Sequence, residues 1–197
     1  MVDLELSGLD PHRDEIISFA GVPIDAGRVV AGHAVHGLCR PTRPLAEESV
    51  LVHGIRTVDL EGAAPLDEAI EPLIALMTGR VLVAHAAWVE SSFLAPVLRR
   101  QGVRLRQPLL DTLEMARWLG LERGQPLTSN SLSELARGLG LPVHRPHQAL
   151  GDALTTAQVF LAVAAHLDRY TPQTVRSLAL AHHRARTHGV YPAASEG

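Results

Sequence analysis

The order of the apolar runs along the chain limits the folds that it can adopt. The first part carries three such runs, roughly residues 2–6, 15–24 and 29–38, separated by stretches rich in Gly, Pro and Asp. Short apolar runs at 81–84 and 108–110 then alternate with longer helical patterns. Tight turns join strands into an antiparallel meander, whereas alternating strands and helices form parallel pairs. We therefore predict an α/β fold with a mixed five-stranded sheet, three antiparallel strands followed by parallel ones, and helices on both faces.

Caps, breakers and apolar spacing place the helices between these strands. Pro65 is expected to open one helix and Pro72 to bend it. Ser91 or Ser92 is expected to cap the next one. After a Pro-rich loop over residues 40–48, the expected helices cover residues 66–78, 93–101, 112–119, 132–139 and 148–167, with a last one opening at Thr171-Pro172.

The 197 residues are enough for one domain of ordinary size. Hydrophobic residues make up 46% of the chain, which excludes a disordered protein. We interpret Trp88 and Trp118 as core residues rather than as residues that stack on bases. We expect one domain over residues 1–168, then a C-terminal helix and a loose tail over residues 169–197. The single cysteine, Cys39, excludes an internal disulfide. The sequence shows neither a signal-peptide pattern nor an 18-residue apolar run, so we expect a cytoplasmic protein with no membrane partner.

The charge of the chain restricts how it can hold a polyanion. The formal net charge is −3, and all 18 basic residues are arginine. This excludes a uniformly basic nucleic-acid-binding protein, so a nucleic acid would have to be held locally, by arginines and metal. Four arginines form a local basic run: Arg99, Arg100, Arg104 and Arg106. This run either contacts a nucleic-acid strand or is a solvated helix end and loop. The Arg- and His-rich segment after Thr171 either contacts nucleic acid or a partner such as a polymerase, or is an exposed helix.

Two acids lie two residues apart in the first apolar run. Asp3 and Glu5 alternate with apolar residues, and on a β-strand this spacing puts both carboxylates on one face. Like charges on a buried strand repel each other, and a hard divalent cation with oxygen ligands relieves that repulsion. The alternative for this pair alone is a surface strand with two solvated acids.

Two later stretches place acids and a histidine at the ends of expected elements. Glu90 follows a short strand and lies near the start of a helix, where the helix dipole favours a negative charge. His147 and Asp152 lie five residues apart, and the preceding Pro146 favours a loop position for His147. Taken singly, these residues are typical of capping acids and solvated loop histidines.

Four motifs in order are more specific than any one of them. Asp-x-Glu lies near the start, His53-Gly54-Ile55 follows the third strand, AHAAWVESSFL covers residues 84–94, and His-x-Ala-x-x-Asp over residues 147–152 precedes the long helix. This ordered set resembles the DnaQ-like (DEDDh) 3′-to-5′ exonucleases, a family of ribonuclease H-like fold that includes the epsilon subunit of bacterial DNA polymerase III. The resemblance covers about residues 1–168.

The resemblance implies two Mg²⁺ or Mn²⁺ ions held by four acids that take part in catalysis: Asp3, Glu5, Glu90 and Asp152. His147 matches the general base that removes a proton from the attacking water. Glu48 and His53 match contacts to the terminal nucleotide, and apolar residues from Leu6 onward match a base-stacking surface.

The implied activity is hydrolysis of phosphodiester bonds at 3′ ends of single-stranded DNA, or of RNA, with release of nucleoside monophosphates by a two-metal-ion mechanism. A DNA polymerase or another replication or repair protein is an implied partner. Two alternatives remain open. One is a nucleic-acid-binding or interaction module of the same fold with impaired chemistry, and the other is a small-molecule enzyme such as a nucleotide phosphohydrolase.

Three features depart from the family pattern. Glu90 stands in place of Asp, which predicts weaker metal binding and a slower or Mn²⁺-preferring site, because Mg²⁺ requires near-ideal geometry. Ala86 and Leu6 stand where Asn and Thr are usual. Only two residues precede Asp3, which predicts a short central strand with a mobile, charged amino terminus close to the metals.

Overall fold

Strands fill the first part of the protein, and strands and helices alternate after them, in a computed structural model that describes residues 1–104 and 109–187. Arg106, residue 108 of the expected strand and the expected loose tail from residue 188 lie outside the described residues. The strands are β1 (Val2–Leu6), β2 (Ile16–Gly21), β3 (Ile24–Asp25), β4 (Arg28–Val29), β5 (Val35–Leu38), β6 (Leu82–Ala84) and β7 (Leu109–Asp111). The helices are α1 (Glu47–His53), α2 (Thr57–Leu60), α3 (Leu66–Ala69), α4 (Glu71–Met77), α5 (Trp88–Arg100), α6 (Thr112–Glu122), α7 (Leu132–Gly138), α8 (Ala149–Asp168), α9 (Val175–Ala179) and α10 (Ala181–Thr187).

The described strands form an antiparallel ladder, a parallel ladder and the β3–β4 hairpin. The predicted mixture of strand directions is confirmed, whereas the predicted single five-stranded sheet stays a prediction. The antiparallel strands follow the order β1-β2-β5, with Asp3 opposite Ala20 and a shift in register after Glu5. β6 and β7 pair in parallel, with Ala84 opposite Asp111. β1 lies next to β6, although the hydrogen-bonded ladders of the described residues do not join these two strands. Mixed strand directions with helices packed on the strands make this an α/β fold.

The predicted third strand over residues 29–38 is wrong, because two strands occupy that range. Ala26 and Gly27 have positive φ angles of 48° and 74°, which suit the two-residue turn between β3 and β4. A 3₁₀ turn over Ala31–His33 then interrupts the chain before β5. The interruption lets the chain leave the β3–β4 hairpin and return to β2, where Val35 pairs with Gly21.

The predicted helix over residues 66–78 is also wrong as a single helix. α3 ends at Ala69, and Pro72 lies in the first turn of α4, where a proline loses no helical hydrogen bond. The expected loop over residues 40–48 ends early, because α1 begins at Glu47. Its first turn carries two acids, which the helix dipole stabilises.

Two predicted helix starts are wrong because the caps are elsewhere. α5 begins at Trp88, and Ser91 and Ser92 donate to carbonyl oxygens three residues earlier instead of capping. α9 begins after Thr174, whose hydroxyl accepts the Ser177 N–H, rather than at Thr171-Pro172. Ser131 caps α7 as predicted and accepts the N–H of Glu134.

The core has two parts: one lies where α8 packs on β1 and β2, and the other lies between these strands and the helices α4 and α5. α8 contacts β1, β2, α6 and α7, and Val159, Val163 and Leu167 on it are fully buried. Among the described helices it is the one with the length and apolar composition to cross a membrane, and core helices meet the same test. The buried positions along α8 indicate a core helix.

The Arg- and His-rich C-terminal segment packs on the domain as α9 and α10. α10 lies against α6, with Ala181 buried and the Arg184 guanidinium 4.6 Å from the centre of the Trp118 ring. Trp118 is a core residue as predicted. Trp88 is 64% exposed, so its assignment to the core is wrong. It lies at the start of α5, where its side chain points away from the buried face.

Candidate active site

Three carboxylates from two elements converge at one point. Asp3 and Glu5 lie on one face of β1, and Asp152 lies in the first turn of α8. One oxygen of each carboxylate lies within 4.8 Å of the other two. Because α8 crosses β1 at its own first turn, the fold brings these three predicted residues together; we call them the acidic cluster.

Glu90 lies beside the acidic cluster, on α5. Its side chain is 5% exposed, and its Oε2 atom has no hydrogen-bond partner among the described residues. Glu90 is not one of the three residues of the acidic cluster, yet its charge raises the pKa of Asp3. Burial raises the pKa of Glu90 itself to about 8, with Asp111 adding to the increase.

Burial and mutual repulsion raise the pKa of the acids in the cluster. Burial and the charges of Glu90, Asp152 and Glu5 hold the pKa of Asp3 well above its ordinary value. Burial and Asp152 raise the pKa of Glu5 to about 7, and burial raises that of Asp152. Among the described residues, no arginine forms an ion pair with any of these acids. Such a set of oxygen donors fits a hard divalent cation.

His147 lies on the loop before α8, as its sequence context predicts. It is exposed, and its backbone has a positive φ of 59°. Its N–H donates to Asp152 Oδ2 over 2.8 Å. The ring of His147 influences the pKa of both Asp152 and His53, so this imidazole lies near the acidic cluster and His53 together.

His53 is the last residue of α1 and lies near His147. Its Nδ1 accepts the N–H of Ile55 over 3.0 Å, so the proton of the neutral ring is on Nε2, which is buried without a partner among the described residues. Burial, with His147, lowers the pKa of His53. Glu48 is exposed in the first turn of α1. Leu6 is 9% exposed and packs in the core, whereas Leu9 is 69% exposed.

Asp111 is a residue beside Glu90 to which the sequence analysis assigned no role in the site; the sequence indicates it only as a candidate helix cap. Its Oδ1 accepts the N–H groups of Ala86 (3.1 Å) and Leu113 (2.9 Å), and its Oδ2 accepts that of Ala87 (3.0 Å). The available signal was its position at the end of β7, because neighbouring parallel strands end at the same edge of a sheet.

His85 is a second residue without a role assigned from the sequence. Its Nε2 lies 2.9 Å from the carbonyl oxygen of Asn130, and its Nδ1 lies 2.9 Å from Thr112 Oγ1. A carbonyl only accepts, so Nε2 carries a proton. Thr112 Oγ1 lies within hydrogen-bond distance of both Nδ1 and the carbonyl oxygen of Ala84, to which its hydroxyl donates over 3.2 Å. Burial lowers the pKa of His85. This fixed ring anchors the chain between β6 and α5.

The expected mobile amino terminus near the metals is wrong. The Met1 amino group is buried and donates to the carbonyl oxygen of Val22 over 2.7 Å. Burial, with Arg80, lowers its pKa to about 6. Val22 returns a hydrogen bond to Met1 O over 2.9 Å, so these contacts extend the β1–β2 pairing and hold the start of the chain in place.

Comparison with known proteins agrees with this geometry. The family model described as Exonuclease (RNase_T) matches residues 1–160. The chain is 35% identical over 162 residues to the PolC-type DNA polymerase III of Thermotoga maritima, covering 82% of this chain and 11% of that protein. It is 36% identical over 163 residues to a DNA polymerase III epsilon-like protein of Rhodobacter capsulatus, covering 81% and 22%. The chain therefore spans a small part of these relatives.

Solved structures share the fold. The complex of exonuclease X with 5′-overhanging duplex DNA superposes with a TM-score of 0.70 at 21% identity, covering 92% of this chain and 97% of that one. The nuclease domain of 3′hExo, a DEDDh family member bound to rAMP, gives a TM-score of 0.68 at 18% identity, covering 88% and 92%. Since the family model spans most of the chain, the protein belongs to the DnaQ-like (DEDDh) family of 3′-to-5′ exonucleases, with a ribonuclease H-like fold.

Proposed function

We propose that the protein is a metal-dependent 3′-to-5′ exonuclease that removes nucleoside monophosphates from single-stranded DNA. The observation that carries this proposal is the acidic cluster of Asp3, Glu5 and Asp152, with the buried Glu90 beside it. Two Mg²⁺ or Mn²⁺ ions held by these four acids would acidify the attacking water and neutralise the charge on the leaving oxygen.

The protein's own groups would supply the proton transfer and the grip on the strand end. His147 is exposed beside Asp152, and its imidazole would take the proton from the attacking water. His53 would contact the terminal nucleotide, with Glu48 on the same helix as a further contact. The exposed Leu9, beyond the buried Leu6, offers apolar surface for base stacking.

The comparisons support the substrate class and the setting. E. coli exonuclease I, solved with a dT13 oligonucleotide, shares the fold with a TM-score of 0.75 at 18% identity, covering 86% of this chain and 41% of that one. The rAMP in the 3′hExo structure supports RNA as a second substrate. The relatives named as DNA polymerase III proteins support a polymerase partner and a cytoplasmic location.

A second candidate function is a nucleic-acid-binding module with impaired chemistry. The position of Glu90 outside the acidic cluster favours this second candidate, because a misplaced ligand weakens a metal site that requires near-ideal geometry.

The decisive experiment follows a 5′-labelled single-stranded oligonucleotide and the thermal stability of the protein as Mn²⁺ is added. We expect stepwise shortening from the 3′ end that a chelator abolishes, and an Mn²⁺-dependent rise in Tm that Asp152→Asn removes. Asp168→Asn, the same charge change at the far end of α8, is the control and should behave as wild type. A gel shift without cutting would favour the second candidate. Neither cutting nor binding would exclude both and favour a small-molecule enzyme.

A further inference from the structure

The start of α5 is capped by a side chain from the end of β7. Its N-cap residue is Ala87, which has no side-chain acceptor, and its third helical residue is Glu90. In a capping box, an acid at this third position accepts the N–H of the N-cap residue. Here Asp111 Oδ2 accepts the Ala87 N–H instead. Asp111 therefore makes the contact that Glu90 would make in an ordinary helix start.

The backbone at Ala86 and Ala87 is shaped to receive a carboxylate. Ala86 has a φ of 55° and Ala87 a φ of −54°, and successive residues of left- and right-handed conformation point their N–H groups into one anion-binding concavity. The carboxylate of Asp111 fills this concavity, and the Leu113 N–H ties it to α6. Three N–H donors on one carboxylate fix β7 against the start of α5.

Glu90 therefore does not bind the Ala87 N–H, and its carboxylate accepts the N–H of its own backbone. Its Oε2 atom is buried with no hydrogen-bond partner among the described residues, and its charge acts on Asp3. A Glu has one more rotatable bond than an Asp, so its carboxylate depends more on the exact placement of the helix that carries it.

We propose that Asp111 is a positioning residue for Glu90: it takes the Ala86 and Ala87 amides at the start of α5, so the Glu90 carboxylate does not bind them and stays beside the acidic cluster. This inference rests on the proposed function, because it assigns Glu90 to the metal site. Asp111 is not part of the acidic cluster; it acts on Glu90 through the start of α5 and through its charge.

The test compares Asp111→Ser with wild type and with Ser131→Ala. A serine can still accept the Leu113 N–H and cap α6, but it is too short to hold the Ala86 and Ala87 amides as well. Ser131→Ala removes the cap of α7. We measure the Mn²⁺ concentration for half-maximal thermal stabilisation, which we call the Mn²⁺ midpoint, together with kcat and KM on a single-stranded oligonucleotide.

We expect Asp111→Ser to raise the Mn²⁺ midpoint and to lower kcat, each about 10-fold, with little change in KM. Ser131→Ala should lower the metal-free Tm and leave the Mn²⁺ midpoint and kcat unchanged. In a Glu90→Ala background, Asp111→Ser should have no further effect on the Mn²⁺ midpoint, because the two residues act as one unit.

Two results would overturn the inference while leaving the proposed function intact. One is an Asp111→Ser protein with wild-type Mn²⁺ midpoint and kcat, and the other is an effect of full size in the Glu90→Ala background. A wild-type protein that shows no response to Mn²⁺ and no cutting would instead refute the proposed function, and the inference with it.

Discussion

Ala86 has a strained backbone conformation next to the acidic cluster's neighbour Glu90. Its φ of 55° is in the left-handed region, where a residue with a Cβ is about 1–2 kcal/mol less stable than in the right-handed region. The conformation persists because Asp111 binds the amides of Ala86 and Ala87. The strain is therefore local and lies next to the helix that carries Glu90.

We expect Ala86→Gly to stabilise the protein by about 0.5–1 kcal/mol, because glycine adopts this conformation without a Cβ clash. Thermal and urea unfolding measure the change. Ala164→Gly, inside α8, is the matched control and should cost about 1 kcal/mol, because glycine is the poorer helix former. A loss of stability in Ala86→Gly would contradict the assigned strain.

Glu90 predicts a pH dependence in metal-free buffer. Its pKa is about 8 in the folded protein and 4.5 when unperturbed, so the folded state binds the proton more tightly. Stability from this group is present at low pH and is lost as pH rises through about 8. From pH 6.5 to 8.5, wild type should lose about 2 kcal/mol relative to Glu90→Gln, which does not titrate.

Chelator-treated wild type and Glu90→Gln, unfolded in urea at several pH values, test this dependence. The comparison within each buffer removes the opposite contribution of the Met1 amino group, whose pKa is lowered. At pH 8.5, saturating Mn²⁺ should make wild type more stable than Glu90→Gln, because the cation stabilises the ionised carboxylate. A pH-independent difference would show that Glu90 is not buried in its acidic form.

At the scale of elements, α8 holds the loop that precedes it. His144 donates its N–H to Thr155 Oγ1 over 3.0 Å, and its ring Nε2 lies 3.0 Å from Gln158 Nε2. His147 donates its N–H to Asp152. These contacts keep the loop folded back over the first turn of the helix, which places the imidazole of His147 at the acidic cluster.

Gly151 permits this close approach. A Cβ at this position would lie 2.5 Å from the His144 carbonyl oxygen and would also clash with that of Arg145. We expect Gly151→Ala to push the loop outward, costing about 1–3 kcal/mol of stability and lowering kcat about 10-fold as His147 moves.

Gly138→Ala is the control for that change. An added Cβ there meets no atom within 4 Å, so we expect no loss of stability or of kcat. Unfolding in urea and initial rates on a labelled oligonucleotide measure both variants. Wild-type kcat in Gly151→Ala would show that the loop position does not matter for activity.

At the scale of the whole molecule, one helix serves both the core and the site. α8 carries Asp152 in its first turn, at the acidic cluster, and Leu167, fully buried, in its last turn roughly 22 Å away along the helix. The core stabilises the fold, whereas the buried acids oppose it until a cation is bound. Stability and metal response should therefore be separable by mutation.

Leu167→Ala should lower the free energy of unfolding by about 2–5 kcal/mol through the cavity that it leaves. The Mn²⁺ midpoint, measured well below the lowered Tm, should stay at the wild-type value. Asp152→Asn should show the reverse, with a normal fold and no Mn²⁺ response. A shifted midpoint in Leu167→Ala would mean that the far end of α8 controls the geometry of the cluster.

Local patterns predicted the parts of this protein that depend on near neighbours. The antiparallel start, the parallel β6–β7 pair, the cap at Ser131 and the placement of Asp3 and Glu5 on one strand face all follow from spacing within a few residues. The errors occurred where a distant contact replaced a local one. α5 begins before its serines because Asp111 caps it, and a 3₁₀ turn interrupts residues 29–38 so that β5 can reach β2.

The sequence by itself supplied the candidate acids and imidazole: strand periodicity places Asp3 and Glu5 on one face, and the family resemblance adds Glu90, Asp152 and His147. Tertiary structure alone decided that Asp152 meets Asp3, that His147 folds back over α8, and that Asp111 replaces Glu90 as a cap. Each of these depends on the angle and register at which elements far apart in the chain pack together. Those quantities are set by the shape of the whole core and by no single stretch of sequence.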